Sequence, residues 1–134
     1  MATFDAPNRE VCTIRRPRSN TPLQALVTLN DPVYVEAAQT LGKHMNESTG
    51  ATAEKVRLGF RLCLSRPPEE AELKRLLKFY QTAKAGYAKK PDQAKKLAGM
   101  DDSKKTQSAD PIELAAWTAL GNVLLNLDET LMRP

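Results

Sequence analysis

Three prolines stand directly after helix-capping residues: Thr21-Pro22, Asp31-Pro32 and Asp110-Pro111. This pairing constrains the fold more than any other feature of the chain. The capping oxygen accepts from an amide of the first helical turn. Proline at the first helical position costs no bond, because an amide there has no intrahelical partner. Gln24 lies three residues after Thr21 and Glu113 three after Asp110, completing a capping-box pattern at both places. The chain is therefore predicted to be all-α: an irregular bundle of about five helices with an extended N-terminal arm packed across it, forming one domain overall.

Apolar spacing fills in the elements. Residues 1–20 read as an extended, arginine-rich arm broken by Pro7 and Pro17. Residues 21–85 read as a four-helix segment. Its first helix runs from Pro22 to about Leu29. The second is capped by Asp31 and runs to about Met45, with Val33, Ala37, Leu41 and Met45 on its inner face. The third is capped by Thr52 and carries Val56, Phe60, Cys63 and Leu64, with Glu54, Arg57 and Arg61 on the opposite side. Arg66-Pro67-Pro68 stops it. Glu69, Glu70 and Glu72 favour the next start through the helix dipole, and Leu73, Leu76, Leu77 and Tyr80 continue that helix to about Ala85. Residues 86–109 hold six lysines and few large apolar side chains, which predicts a flexible connector with a short helix near Gln93–Ala98. Residues 110–134 carry the most apolar helix, with Leu114, Trp117, Leu120, Gly121, Leu124 and Leu125, and this helix is predicted to be central.

Composition excludes several classes of function. No apolar run approaches the length of a membrane span, and Met1-Ala2-Thr3-Phe4 leads into polar sequence without the apolar core of a signal peptide. One histidine and two distant cysteines do not make a zinc-binding pattern, and CxxCH is absent. His44, near the end of the second helix, reads as a solvated cap. Cys63 reads as a small core hydrophobe; Cys12 reads first as a buried structural residue, with a thiolate favoured by its neighbouring arginines as the alternative. No glycine-rich phosphate loop is present. No cofactor, metal site or catalytic residue is assigned. The net charge of +4 suits an acidic partner without identifying one.

The densest charge is in Arg15-Arg16-Pro17-Arg18-Ser19-Asn20-Thr21-Pro22-Leu23-Gln24, with Arg9 upstream. Positive charge beside a helix N-terminus needs a partner, since the dipole there is already positive. Arginine binds carboxylate, sulfate-like or phosphate groups with two parallel bonds. The candidate set for anion binding or a structural clamp is thus Arg9, Arg15, Arg16, Arg18, Asn20 and Gln24. The favoured reading is a clamp, in which Arg15, Arg16 and Arg18 pair with Asp5, Glu10, Asp31 or Asp128. External anion capture stays open. Phe4 and Tyr34 are too few and too far apart to supply the stacking that nucleic-acid binding would want.

Phe4-Asp5-Ala6-Pro7-Asn8-Arg9-Glu10, Cys12, Arg15 to Leu26 and Leu29-Asn30-Asp31-Pro32 together resemble the C-terminal half of domain of unknown function 1553, a module of large planctomycete and verrucomicrobial proteins. Arg66-Pro67-Pro68-Glu69-Glu70-Ala71-Glu72-Leu73, Glu113 to Trp117 and Leu124 to Glu129 are weaker matches to the same family. Thr130 departs from it, standing where an aromatic is common. The resemblance implies an exported parent protein, often with a cytochrome c-like module, in gene neighbourhoods concerned with sulfated polysaccharide. It carries over no catalytic residue. The functional expectation is a non-catalytic structural or interaction module, with other domains of a longer parent as partners and anionic polysaccharide as a ligand class. The alternatives are a part that supplies arginines to an active site completed by upstream sequence, and a basic nucleic-acid-binding module.

Overall fold

The computed structural model describes residues 22–99 and 110–131, and for residues 22–25 the backbone alone. These residues form seven helices and no strand: α1 (Pro22–Asn30), α2 (Pro32–Glu47), α3 (Thr52–Leu64), α4 (Glu70–Ala88), α5 (Pro91–Leu97), α6 (Pro111–Leu125) and α7 (Asp128–Leu131). The all-α class is as predicted; α5 and α7 bring the number of helices above five. Asp31 and Asp110 act as the sequence predicts, their Oδ1 atoms accepting from Val33 N at 2.8 Å and Ile112 N at 3.1 Å. Thr52 does not cap α3. It is the first helical residue, and the capping position belongs to Ala51, whose carbonyl accepts from Glu54 N at 2.9 Å.

α6 is the centre of the fold. Leu114, Ala115, Ala116, Trp117, Thr118, Leu120, Gly121 and Leu124 are all buried, covering almost every direction around the helix. An apolar helix with no polar side can only be placed inside. α2, α4 and α5 pack against it, and α3 adds Val56 and Phe60 to a core shared with Met45, Leu73, Leu76, Tyr80, Trp117, Leu120 and Leu124.

α2 meets α6 through small residues. A Cβ on Gly42 would lie 2.9 Å from Thr118 N, and one on Gly121 2.9 Å from Ala38 O. The two backbones touch there without intervening side chains. This displaces the inner face of α2 from its predicted position. Ala38, Gly42 and Met45 are buried, Leu41 packs at the edge of the core, Ala37 faces solvent, and Val33 is 71% exposed.

The stretch expected as a flexible connector is largely helical where it is described. α4 continues to Ala88, and α5 follows after two residues. Ala94 and Ala98 are buried, and Gln39 Nε2 donates to Leu97 O at 3.0 Å, tying the end of α5 to α2. Composition suggested mobility because the lysines dominate it; two buried alanines are enough to dock one short helix.

α3 ends at Ser65, which adopts φ 59 and donates its N–H to Arg61 O at 2.8 Å. A side chain in the left-handed region carries a penalty of about 1–2 kcal/mol, part of which glycine gives back through its freer unfolded chain. Ser65→Gly is expected to stabilise the protein by about 0.5–1 kcal/mol, seen as a higher urea midpoint at unchanged slope.

Candidate functional site

The predicted clamp residues Arg9, Arg15, Arg16, Arg18 and Asn20 lie outside the described residues, as do Cys12 and the carboxylates Asp5 and Glu10. Gln24 falls in the first turn of α1, its side chain outside them as well. Of the acceptors proposed for the arginines, Asp31 caps α2 and Asp128 opens α7.

Among the described residues, Arg66 makes an arginine–carboxylate clamp of its own. Arg66, just after α3, holds two carboxylates at once. Its Nε and one terminal nitrogen donate to Glu129 of α7 at 2.8 and 2.7 Å, while its two terminal nitrogens donate to Glu72 of α4, both at 2.9 Å. The guanidinium lies 4.9 Å from the centre of the Phe60 ring. Glu72 also accepts from Glu69 N at 2.8 Å, so the carboxylate that satisfies the α4 N-terminus also receives the arginine. One planar cation with five donors thus ties three helices together.

Both carboxylates respond to that cation. Hydrogen bonding from Arg66, and then from the Glu69 amide, lowers Glu72 from 4.5 to about 2, and Arg66 lowers Glu129. The same hydrogen bonds raise Arg66 further above its ordinary range. A carboxylate with a depressed folded-state pKa adds stability that is complete above its unfolded value and is lost as pH falls through the folded one. The stability difference between the native chain and Arg66→Ala should therefore be constant above about pH 4.5 and shrink toward pH 2. It should also narrow in high salt, since the groups are partly exposed. Chemical denaturation of both proteins across that range measures it; a difference independent of pH would mean that Arg66 acts through packing on Phe60 alone.

A second polar cluster joins α4 to α6. Tyr80 donates its hydroxyl to Glu113 Oε1 at 3.0 Å, with Lys84 Nζ 3.7 Å from the same oxygen. The Tyr80 and Trp117 rings are tilted by 34° with centroids 4.2 Å apart. Burial, then the Glu113 charge, raise the Tyr80 phenol well above its ordinary value and keep it protonated. Glu113 therefore serves Tyr80, whereas the sequence suggested a capping-box role alone. Trp117 Nε1 is fully buried and finds no acceptor among the described residues.

A third polar cluster fastens α1. Buried Thr28 donates to Asn126 Oδ1, and Asn126 Nδ2 donates to Asn122 O at 2.8 Å and Asn122 Oδ1 at 2.9 Å. Thr130 donates its hydroxyl to Leu124 O at 2.8 Å.

These clusters consist of committed pairs. Carboxylates are neutralised, a phenol is held protonated, and hydroxyls are spent on carbonyls and amides. Cys63 packs at the edge of the core, where burial pushes its thiol up, so it is a poor nucleophile. His44 is exposed. Among the described residues, no three His, Cys, Asp or Glu side chains group as a metal site would require, and no helix is long and apolar enough to cross a membrane.

Sequence reasoning passed over Arg66 because Arg66-Pro67-Pro68 has an evident role as a helix stop. Its spacing from Glu69 and Glu72 across that turn was a usable signal. Glu129, 63 residues away, had none.

By fold and geometry, the chain is an all-α module whose described polar clusters join helices to one another. The profile of the PSD1 family, described as proteins of unknown function (DUF1553), matches residues 1–80, and the chain belongs to that family. The match takes in the arginine-rich arm, α1 to α3 and α4 as far as Tyr80. Neither the curated proteins nor the solved structures include a match.

Proposed function

We infer that this chain is a non-catalytic structural and interaction module of a larger, exported, planctomycete-type protein that handles anionic polysaccharide. In this reading it forms the C-terminal half of the family domain. The observation that carries it is the use made of the described polar side chains. Arg66 is spent on two carboxylates, and Tyr80 and Lys84 are directed to Glu113. Such an arrangement keeps helices in place and leaves recognition to other parts of the chain. The arm offers four arginines within the family match, the residue type suited to sulfate esters.

Titration with a sulfated glycan and its desulfated counterpart tests the ligand class. Binding is expected for the sulfated chain only, weakening with added salt. It should be lost in Arg15→Ala/Arg16→Ala with helicity unchanged. Equal binding of both glycans, or binding untouched by the double substitution, would overturn the reading.

A further inference from the structure

The basic charge of the chain is concentrated in one stretch. From Lys74 to Gly99 there are eight basic residues, every one exposed, against the single acid Asp92. That net +7 exceeds the +4 of the whole chain, so the rest of the chain carries −3. Within this stretch α4 sorts its charges by side. At helical spacing Lys74, Lys78 and Lys89, the last at the C-cap, fall within about 60° of one another around the axis. Their mean direction is about 160° from that of the buried Leu73, Leu76 and Tyr80. They form a row about 22 Å long on the outer side of the helix. Glu70 ends the row one turn before Lys74, and no acid follows Lys74 until Asp92. Among the described residues no ion pair engages these three lysines, whereas Lys84 lies 3.7 Å from Glu113 and the charge of Arg75 bears on Glu72.

We propose that this outer row of α4 is a docking surface for a sulfated polysaccharide chain. The ligand class rests on the module reading above; the surface itself is separate from the arginine arm. Charge complementarity selects a polyanion, because like charges held along one line with no acid among them attract a ligand whose own charges repeat. The side chains in and beside the row select a polysaccharide over a nucleic acid. The row contains no arginine and no aromatic, so it offers neither a bidentate base contact nor a stacking platform. α4 is packed along Leu73, Leu76 and Tyr80 and presents its outer side only, which suits a chain laid along it and not insertion into a groove. Lysine is a compact point charge that pairs with an anion in no fixed orientation, and Ala85, which falls in the row between Lys78 and Lys89, leaves room for sugar rings. Gln81, exposed at the edge of the row, supplies both a donor and an acceptor for sugar hydroxyls. Lys90, Lys95 and Lys96 carry the charge on past the end of α4 into α5, which packs against α4.

Titration of the full chain with dextran sulfate, and in parallel with neutral dextran and a DNA duplex, tests the proposal. The native chain is expected to bind dextran sulfate, more weakly as salt is added, and not to bind dextran. Lys74→Gln/Lys78→Gln/Lys89→Gln should bind about tenfold more weakly at low salt, with helicity unchanged. Lys43→Gln/Arg57→Gln/Arg61→Gln removes the same charge from exposed positions on α2 and α3 and should bind nearly as the native chain does. Equal loss in the two triple variants would assign binding to net charge and overturn the proposal. A duplex bound through the same lysines at least as tightly as dextran sulfate would overturn it too. The arginine arm is judged separately by Arg15→Ala/Arg16→Ala. Loss confined to that variant keeps the arm reading and removes this one; loss confined to the lysine variant does the reverse. Loss in both supports two contacts on one polymer, and no binding of dextran sulfate by the native chain overturns both.

Discussion

Trp117→Ala is expected to cost about 3–5 kcal/mol of stability, the usual range for emptying an aromatic site in a core. Trp117 is 1% exposed and lies against Tyr80, within the cluster that also holds Phe60, Leu120 and Leu124. A domain holding on the order of 5–15 kcal/mol would lose a large share of that total. Trp117→Phe separates packing from polarity. The indole N–H finds no acceptor among the described residues, so phenylalanine keeps most of the ring contact and removes a group that carries a desolvation penalty of about 1–3 kcal/mol. It should cost less than half as much as alanine. Urea unfolding of the three proteins decides the matter; phenylalanine as damaging as alanine would mean that the indole N–H has a partner in solution.

Gly121→Val is expected to cost about 3 kcal/mol or more, at or beyond the upper end for overpacking, because the obstruction is backbone. A Cβ at position 121 meets the Ala38 carbonyl oxygen at 2.9 Å, and no rotamer of Ala38 can move it. The alanine variants give a sharper comparison. Gly86 lies within α4 with nothing within 4 Å of an added Cβ. Gly86→Ala should therefore stabilise the protein by about 0.5–1 kcal/mol, the ordinary helix-propensity gain. Gly121→Ala makes the same chemical change in another helix and should destabilise. Both glycines contributing alike in thermal melts would be incompatible with the close contact of α2 and α6.

The boundaries of the helices were the most legible part of the sequence. Pro32 and Pro111 behind their aspartates set two starts, since cap and proline act through atoms a few residues apart. The central place of α6 was legible from its continuous apolar composition. The inner face of α2 was not. Apolar spacing selects Val33 and Ala37, whereas the contact is made by Ala38 and Gly42, whose value lies in the bulk they lack. The Arg66 clamp was not legible, and the arginine set read from the sequence lies outside the described residues. Arginine–carboxylate pairing follows from composition, but Arg66 meeting Glu129 is decided by where α7 lies after the whole chain has folded. Glu113 shows the same limit: local spacing suggests a cap, and Tyr80, 33 residues earlier, takes the carboxylate.

The bond between Thr28 and Asn126 joins positions 98 residues apart. Together with the meeting of Gly42 and Thr118, it gives the chain a timetable. During synthesis α1 and α2 leave the ribosome long before α6 exists, and they have nothing to close upon until it arrives. Contacts so distant in sequence slow folding, because loop closure precedes the gain from packing. The family match ends at Tyr80, short of the helix that Tyr80 stacks on. A polypeptide cut at that boundary would hold the matched sequence and lack the surface that organises it, so the matched segment and the folding unit are different lengths of the same chain.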